Sequence, residues 1–218
     1  MAVQVPAGDR RFMHADVSIP SDVSGLVLFA HGSGSSRHSP RNCFVASELN
    51  EEGFATVLAD LLTEEEERID EITASMRFDI PLLTRRVITL IDWTREHPSF
   101  GEHTLGLFGA STGAAAALDA AAARPEIVKA VVSRGGRPDL AEQLEKVQAP
   151  TLLIVGGEDA GVIELNALAL RRLQCTKRLE LVPGATHLFE EPGTLERVAS
   201  LASGWFTQHL AKRTLAVA

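Results

Sequence analysis

The sequence predicts an α/β fold, with one mostly parallel sheet and helices on both faces. Three observations predict it. Short, continuously apolar runs such as Leu26-Val27-Leu28-Phe29-Ala30 and Thr151-Leu152-Leu153-Ile154-Val155 recur along the chain, as expected of strands buried on both sides. Between such runs lie longer segments with helical spacing; in 80–96, Ile80, Leu83, Val87, Leu90 and Ile91 share one stripe. Finally, 218 residues with 45% hydrophobic and 23% charged content suit one large domain, and no repeat or low-complexity linker divides them. Residues 1–210 are expected to form that domain and 211–218 a frayed tail.

Local signals order the elements. Residues 3–5 and 12–19 read as two short strands around Ala7-Gly8-Asp9-Arg10, an antiparallel hairpin at one sheet edge. The buried strand 26–30 runs into His31-Gly32-Ser33-Gly34-Ser35-Ser36, a loop of small residues with many free backbone N–H groups. A helix over 42–52 follows, ended by Gly53, and 55–61 is the next buried strand. Segment 63–79 differs in kind: four consecutive acids, Glu64 to Glu67, then Arg68, Asp70 and Glu71, read as a solvated excursion rather than a metal site. The amphipathic helix 80–96 closes at His97-Pro98. From Thr104 an apolar run reaches Gly109-Ala110-Ser111-Thr112-Gly113, and an alanine-rich helix starts at once and stops at Arg124-Pro125. Strand 128–132, the polar loop 133–139, a short helix near 140–147, strand 151–155, helix 162–173, strand 178–182 and helix 195–210 complete the alternation.

Ligands of such sheets sit at the carboxyl ends of the strands. Four strand ends here carry distinctive residues: the loop from His31 to Ser36, then Ser111, Asp159 and His187. Gly109-Ala110-Ser111-Thr112-Gly113 is G-x-S-x-G between strand and helix, a turn that lifts a serine hydroxyl above the sheet. A neutral serine is a weak nucleophile and needs a base; the base needs a carboxylate to hold its tautomer. Ser111, His187 and Asp159 fit those roles. His31 is the rival base, though in this loop it is better placed to shape the backbone. Glu158 and Asp139 compete for the acid, and Asp159 could simply cap the helix after it. A tetrahedral intermediate needs two N–H donors, expected from Thr112 and from Ser33, with Gly34 as the alternative. Arg134 and Arg137 fall at the same edge, where they could hold a substrate carboxylate or pair with Asp139, Glu142 or the acids at 64–67.

The net charge of −8 argues against a nucleic-acid or anionic-membrane surface. No apolar run is long enough to span a bilayer, and the first ten residues lack a signal pattern. Cys43 and Cys175 stand alone, without metal spacing, and read as two reduced core thiols. A cytoplasmic monomer or homodimer acting on a small molecule, with no cofactor or metal, is the expectation.

The elbow GASTG, the loop AHGSGSS, the stretch GGEDAGV and the ending PGATHLFEEPG together resemble the α/β-hydrolase superfamily, and within it the small bacterial dienelactone-hydrolase-like proteins. The resemblance runs from about Phe12 to Leu210. It implies Ser111, Asp159 and His187 as the triad, Ser33 and Thr112 as oxyanion donors, and hydrolysis of a small ester. Dienelactone hydrolases proper use a cysteine nucleophile, so serine here points to ordinary ester chemistry. The short segment between strands 128–132 and 151–155 implies no large cap domain. Acyl transfer, amide or thioester cleavage, an idle binding module, and an engineered variant of a natural hydrolase are the alternatives left open.

Overall fold

The computed structural model describes residues 1–8 and 10–210. In chain order the elements are β1 (Ala2–Pro6), β2 (Phe12–Ser18), β3 (Gly25–Ala30), α1 (Pro40–Glu51), β4 (Phe54–Ala59), α2 (Glu64–Thr73) and α3 (Ile80–Glu96). There follow β5 (Leu105–Ala110), α4 (Thr112–Ala123), β6 (Val128–Arg134), β7 (Thr151–Gly156), α5 (Ala160–Arg172), β8 (Lys177–Val182) and α6 (Thr194–Leu210). The strands form one sheet in the order β1-β2-β4-β3-β5-β6-β7-β8. β2 pairs antiparallel with β1 and with β4, and every other pairing is parallel.

Period-2 alternation explains why this sheet is covered on both sides. Leu26, Leu28 and Ala30 of β3 and Leu105 and Leu107 of β5 join one core layer, with α3, α4 and α5. Their neighbours Val27, Phe29 and Phe108 join the other, with α1 and α6. Every residue of β3, β4, β5 and β7 is buried, so continuous apolar runs are the pattern their position requires. α4 is buried along most of its length, and its alanines let it lie tightly against the central strands β5 and β6.

Four expectations need correction. Segment 63–79 is exposed along most of its length, as expected, but two of its acids are not solvated. Its first half is α2, opened by a capping box between Thr63 and Glu66, and Glu66 and Asp70 turn inward to bury their carboxylates. β6 runs two residues further than expected, through Arg134, which is therefore a strand residue rather than part of a polar loop. The helix near 140–147 is two single 3-10 turns, Pro138–Leu140 and Leu144–Lys146, since Asp119 accepts the N–H groups of Glu142 and Gln143 and diverts the backbone between them. Both cysteines are free, as expected, but Cys43 is exposed and Cys175 half-buried, so neither is a core thiol. The tail at 211–218 lies outside the described residues. Among the described residues no helix is long and apolar enough to cross a membrane.

Candidate active site

Ser111 is held by backbone on both sides. It sits between β5 and α4 with φ 50° and ψ −123°, a left-handed conformation that a non-glycine residue keeps only when its surroundings impose it. Its N–H donates to the Arg134 carbonyl at 3.2 Å, and its own carbonyl accepts from Ala114 at 3.1 Å and Arg137 at 3.0 Å. The motif's two glycines serve close approach, not the unusual φ. A Cβ on Gly109 would lie 2.5 Å from Ala114 Cα, and one on Gly113 would lie 2.3 Å from the Ala30 carbonyl oxygen. Strand and helix can cross this tightly only without those side chains.

The turn after β8 delivers His187, whose Nδ1 lies 2.6 Å from Asp159 Oδ2. Asp159 stands at the N-terminus of α5 but makes no side-chain cap there. Its carboxylate is spent on the imidazole instead. The competing Asp139 is held in a fork by Arg137, at 2.9 and 2.8 Å. A residue the motifs did not single out, Glu191, steadies the histidine turn by accepting from the Thr186 N–H at 3.1 Å and hydroxyl at 2.6 Å. Ser111 and His187 line one cavity of about 230 Å³, together with Gly32, Ser33, Arg41, Asn42 and Arg134. Among the described residues no hydrogen bond within 3.5 Å joins the Ser111 hydroxyl to His187; such bonds often tighten only once substrate binds.

His31 shapes the loop after β3. Its Nε2 accepts the Leu61 N–H at 3.0 Å, which leaves Nδ1 to carry the proton and donate to the Gly32 carbonyl at 2.9 Å. Burial lowers its pKa below the ordinary value, so the imidazole stays neutral and this tautomer persists. The loop presses against the nucleophile: a Cβ on Gly32 would come within 2.9 Å of Ser111 Cβ. The N–H of Ser33 is not free as expected, for it donates to Thr112 Oγ1 at 2.9 Å. Gly34, with φ 67°, has no backbone N–H partner among the described residues. Thr112 opens α4, so its N–H has no intrahelical acceptor and lies at the positive end of the helix.

Two walls flank this loop. On one side α2, Leu62, Leu83 and the loop itself enclose a larger cavity of about 320 Å³ that Asp60, Glu67, Asp70, Glu71 and Arg77 also line. On the other stand Arg134 and the first turn of α1, with Arg41 and Asn42. That turn begins two residues earlier than expected; Ser39 caps it and Pro40 is its first residue. Ser-Pro before a helical pattern was the signal that could have found it. Arg137 pairs with Asp139, whereas Arg134 pairs with no acid among the described residues.

The sheet order, with a serine on the strand-to-helix turn at its carboxyl edge, defines an α/β-hydrolase-fold enzyme of the serine hydrolase type. A model of the dienelactone hydrolase family matches residues 13–208, and the chain belongs to that family. The crystal structure of a dienelactone hydrolase from Anabaena variabilis is similar at 56% identity and a TM-score of 0.94, over 96% of this chain and 97% of that one. Est1E from Butyrivibrio proteoclasticus shares the fold at 17% identity and a TM-score of 0.80, over 97% and 99% of the two chains. Two Mycobacterium tuberculosis proteins bearing the provisional name phosphoribosyl transferase are 54% identical over 209 residues, 95% of this chain and 46% of theirs. The chain thus spans about half the length of these curated relatives.

Proposed function

We propose that the protein hydrolyses carboxylic esters of small molecules through an acyl-enzyme on Ser111. The observation that carries this reading is the Asp159–His187 contact of 2.6 Å beside a serine held at positive φ in the same cavity. His187 Nε2 takes the hydroxyl proton as Ser111 Oγ bonds to the ester carbon. The same proton then goes to the departing alkoxide as the C–O bond breaks. Water, deprotonated by His187, releases the acid and restores the serine. Asp159, hydrogen-bonded at Nδ1, steadies the imidazolium between these steps. The oxyanion forms against the Thr112 N–H and the Ser33 loop. A charged oxygen is a stronger acceptor than the Thr112 hydroxyl that now holds the Ser33 N–H, and Gly34 offers a further donor. The reading is of a cytoplasmic enzyme, monomer or homodimer, working without cofactor or metal.

The phosphoribosyl transferase name belongs to proteins about twice as long, and the hydrolase reading concerns the half that this chain matches. Labelling with a fluorophosphonate probe and peptide mapping tests it. Modification at Ser111 alone is expected, with none in Ser111→Ala. No labelling of the folded protein, or labelling elsewhere, would overturn the assignment.

A further inference from the structure

Asn166 is out of character for its place on α5. It is fully buried, and of the two buried positions on that helix, Asn166 and Ala169, it is the polar one. Asparagine is a weak helix former, and its amide is costly to take out of water unless its hydrogen bonds are met. Here they are met on one side alone. Nδ2 donates to the Gly136 carbonyl at 3.0 Å and to the Val162 carbonyl at 2.8 Å. Oδ1 is buried with no partner among the described residues. Val162 stands four positions earlier, where a helical carbonyl already accepts from the backbone. The Gly136 carbonyl has no donor but Asn166 among the described residues.

Gly136 is the middle of a clip around the nucleophile. Arg134 at its start accepts the Ser111 N–H at 3.2 Å, and Arg137 at its end donates to the Ser111 carbonyl at 3.0 Å. Both peptide groups of a serine strained at φ 50° therefore rest on residues 134–137. The clip reaches the base as well. A Cβ on Gly135 would lie 3.1 Å from the His187 carbonyl oxygen and 3.6 Å from its Cε1. One on Gly136 would lie 2.0 Å from Ser133 Oγ and 2.7 Å from Ala114 Cβ, so the loop is seated tightly between β6 and α4.

Asp159 opens α5, and Asn166 follows two helical turns later on the same face. From that face a carboxylate holds His187 and an amide holds the loop on which Ser111 rests. We infer that Asn166 is a positioning residue for the reaction: by fastening loop 134–137 to the helix that bears Asp159, it fixes where the Ser111 hydroxyl stands relative to the His187 imidazole. The inference rests on the hydrolase reading and adds to it a residue that touches neither substrate nor reacting atoms. A misplacement of about 1 Å at a reacting centre can cost on the order of a hundredfold in rate.

Asn166→Leu tests it by removing the amide and keeping the bulk. The variant exchanges one orphaned acceptor, Oδ1, for another, the Gly136 carbonyl, so its urea midpoint should stay close to that of the parent. Its kcat on p-nitrophenyl acetate should nevertheless fall by about tenfold to a hundredfold, with KM within about twofold, since the cavity walls are unaltered. The rate of fluorophosphonate labelling at Ser111 should fall in step, because it reads the activation of the serine directly. A residue that only supported the fold would move the midpoint and leave kcat per folded molecule alone. A kcat within about twofold of the parent, or a loss matched by the unfolded fraction, would overturn the inference and leave the hydrolase reading standing. Failure of the unaltered protein to label would sink the hydrolase reading and the inference with it. Asn166→Ala removes the amide without adding bulk, and the same two rates measured on it decide should Asn166→Leu fail to fold.

Discussion

On the α2 side of the loop from His31 to Ser36, each buried carboxylate has an arginine against it: Glu66 with Arg86 at 2.5 Å, Asp70 with Arg77 at 2.6 Å, and Asp60 with Arg37. Across the loop, Arg134 is as deeply buried and has only an amide and an aromatic ring. Each wall carries charge out of water, yet only one neutralises it internally. A buried carboxylate–guanidinium pair is a structural element even where, as in Arg37 and Arg86, one guanidinium Nε stays without a hydrogen-bond partner. A buried cation with no carboxylate against it carries a desolvation cost of several kcal/mol that no internal pair offsets. The comparison teaches that burying a charge does not by itself imply an internal partner for it.

The largest effect expected from breaking this comparison is catalytic. Asp159 and Asp139 both follow strands at the same edge, but one holds an imidazole and the other a guanidinium. Asp159→Asn should lower kcat by on the order of 10³ to 10⁴, because His187 loses its tautomer control. Asp139→Asn should stay within about threefold of the parent enzyme, since surface-side pairs contribute little. Steady-state rates on one ester check both, and the reverse ranking would transfer the acid to Asp139.

Stability offers the next contrast. Arg86→Met leaves Glu66 buried with its main partner gone and should cost about 3–5 kcal/mol in urea unfolding. Arg134→Met removes a charge that has no partner, so its cost should be under about 1 kcal/mol, or a gain. Equal losses from the two substitutions would erase the distinction between the walls.

A smaller effect lies in pH. Burial pushes the Glu66 carboxyl upward, but the Thr63 N–H and Arg86 outweigh it and hold it below its ordinary value of 4.5. Asp70 is likewise held below 3.8, burial being outweighed by the N–H groups of Arg77 and Met76 and by the Arg77 guanidinium. A depressed carboxyl contributes its stability fully above the unfolded-state pKa and loses it as pH falls through the folded-state value. The urea midpoint should therefore hold steady from neutrality to about pH 5 and drop below about pH 4. Glu66→Gln should flatten part of that drop; an unchanged slope would remove Glu66 from the acid response.

Much of this architecture was legible in the chain because its signals are local. The apolar runs at 26–30 and 151–155 gave strands within a residue of where they lie, and helix 80–96 begins and ends as its periodicity and His97-Pro98 require. The order Ser111, Asp159, His187 could be read because each residue follows a recognisable strand. Two acids of α2, Glu66 and Asp70, were misread for a reason equally physical. A run of glutamates looks solvated unless the arginines that meet it are known, and Arg86 is twenty positions away from Glu66 in sequence.

What the sequence by itself determined is the alternation of strands and helices, the turn that carries Ser111, and which residue types gather at the carboxyl edge. Hydrophobic period and backbone sterics act over a few residues, so a few residues suffice to reveal them. Only the tertiary structure decided which charges are paired, that His187 meets Asp159 rather than Asp139, that the Ser33 N–H is engaged by Thr112, and that Arg134 stands alone. Electrostatic partners are chosen across the sheet by distances of a few ångströms between residues as far apart as Asn42 and Arg134, and no local pattern encodes a distance.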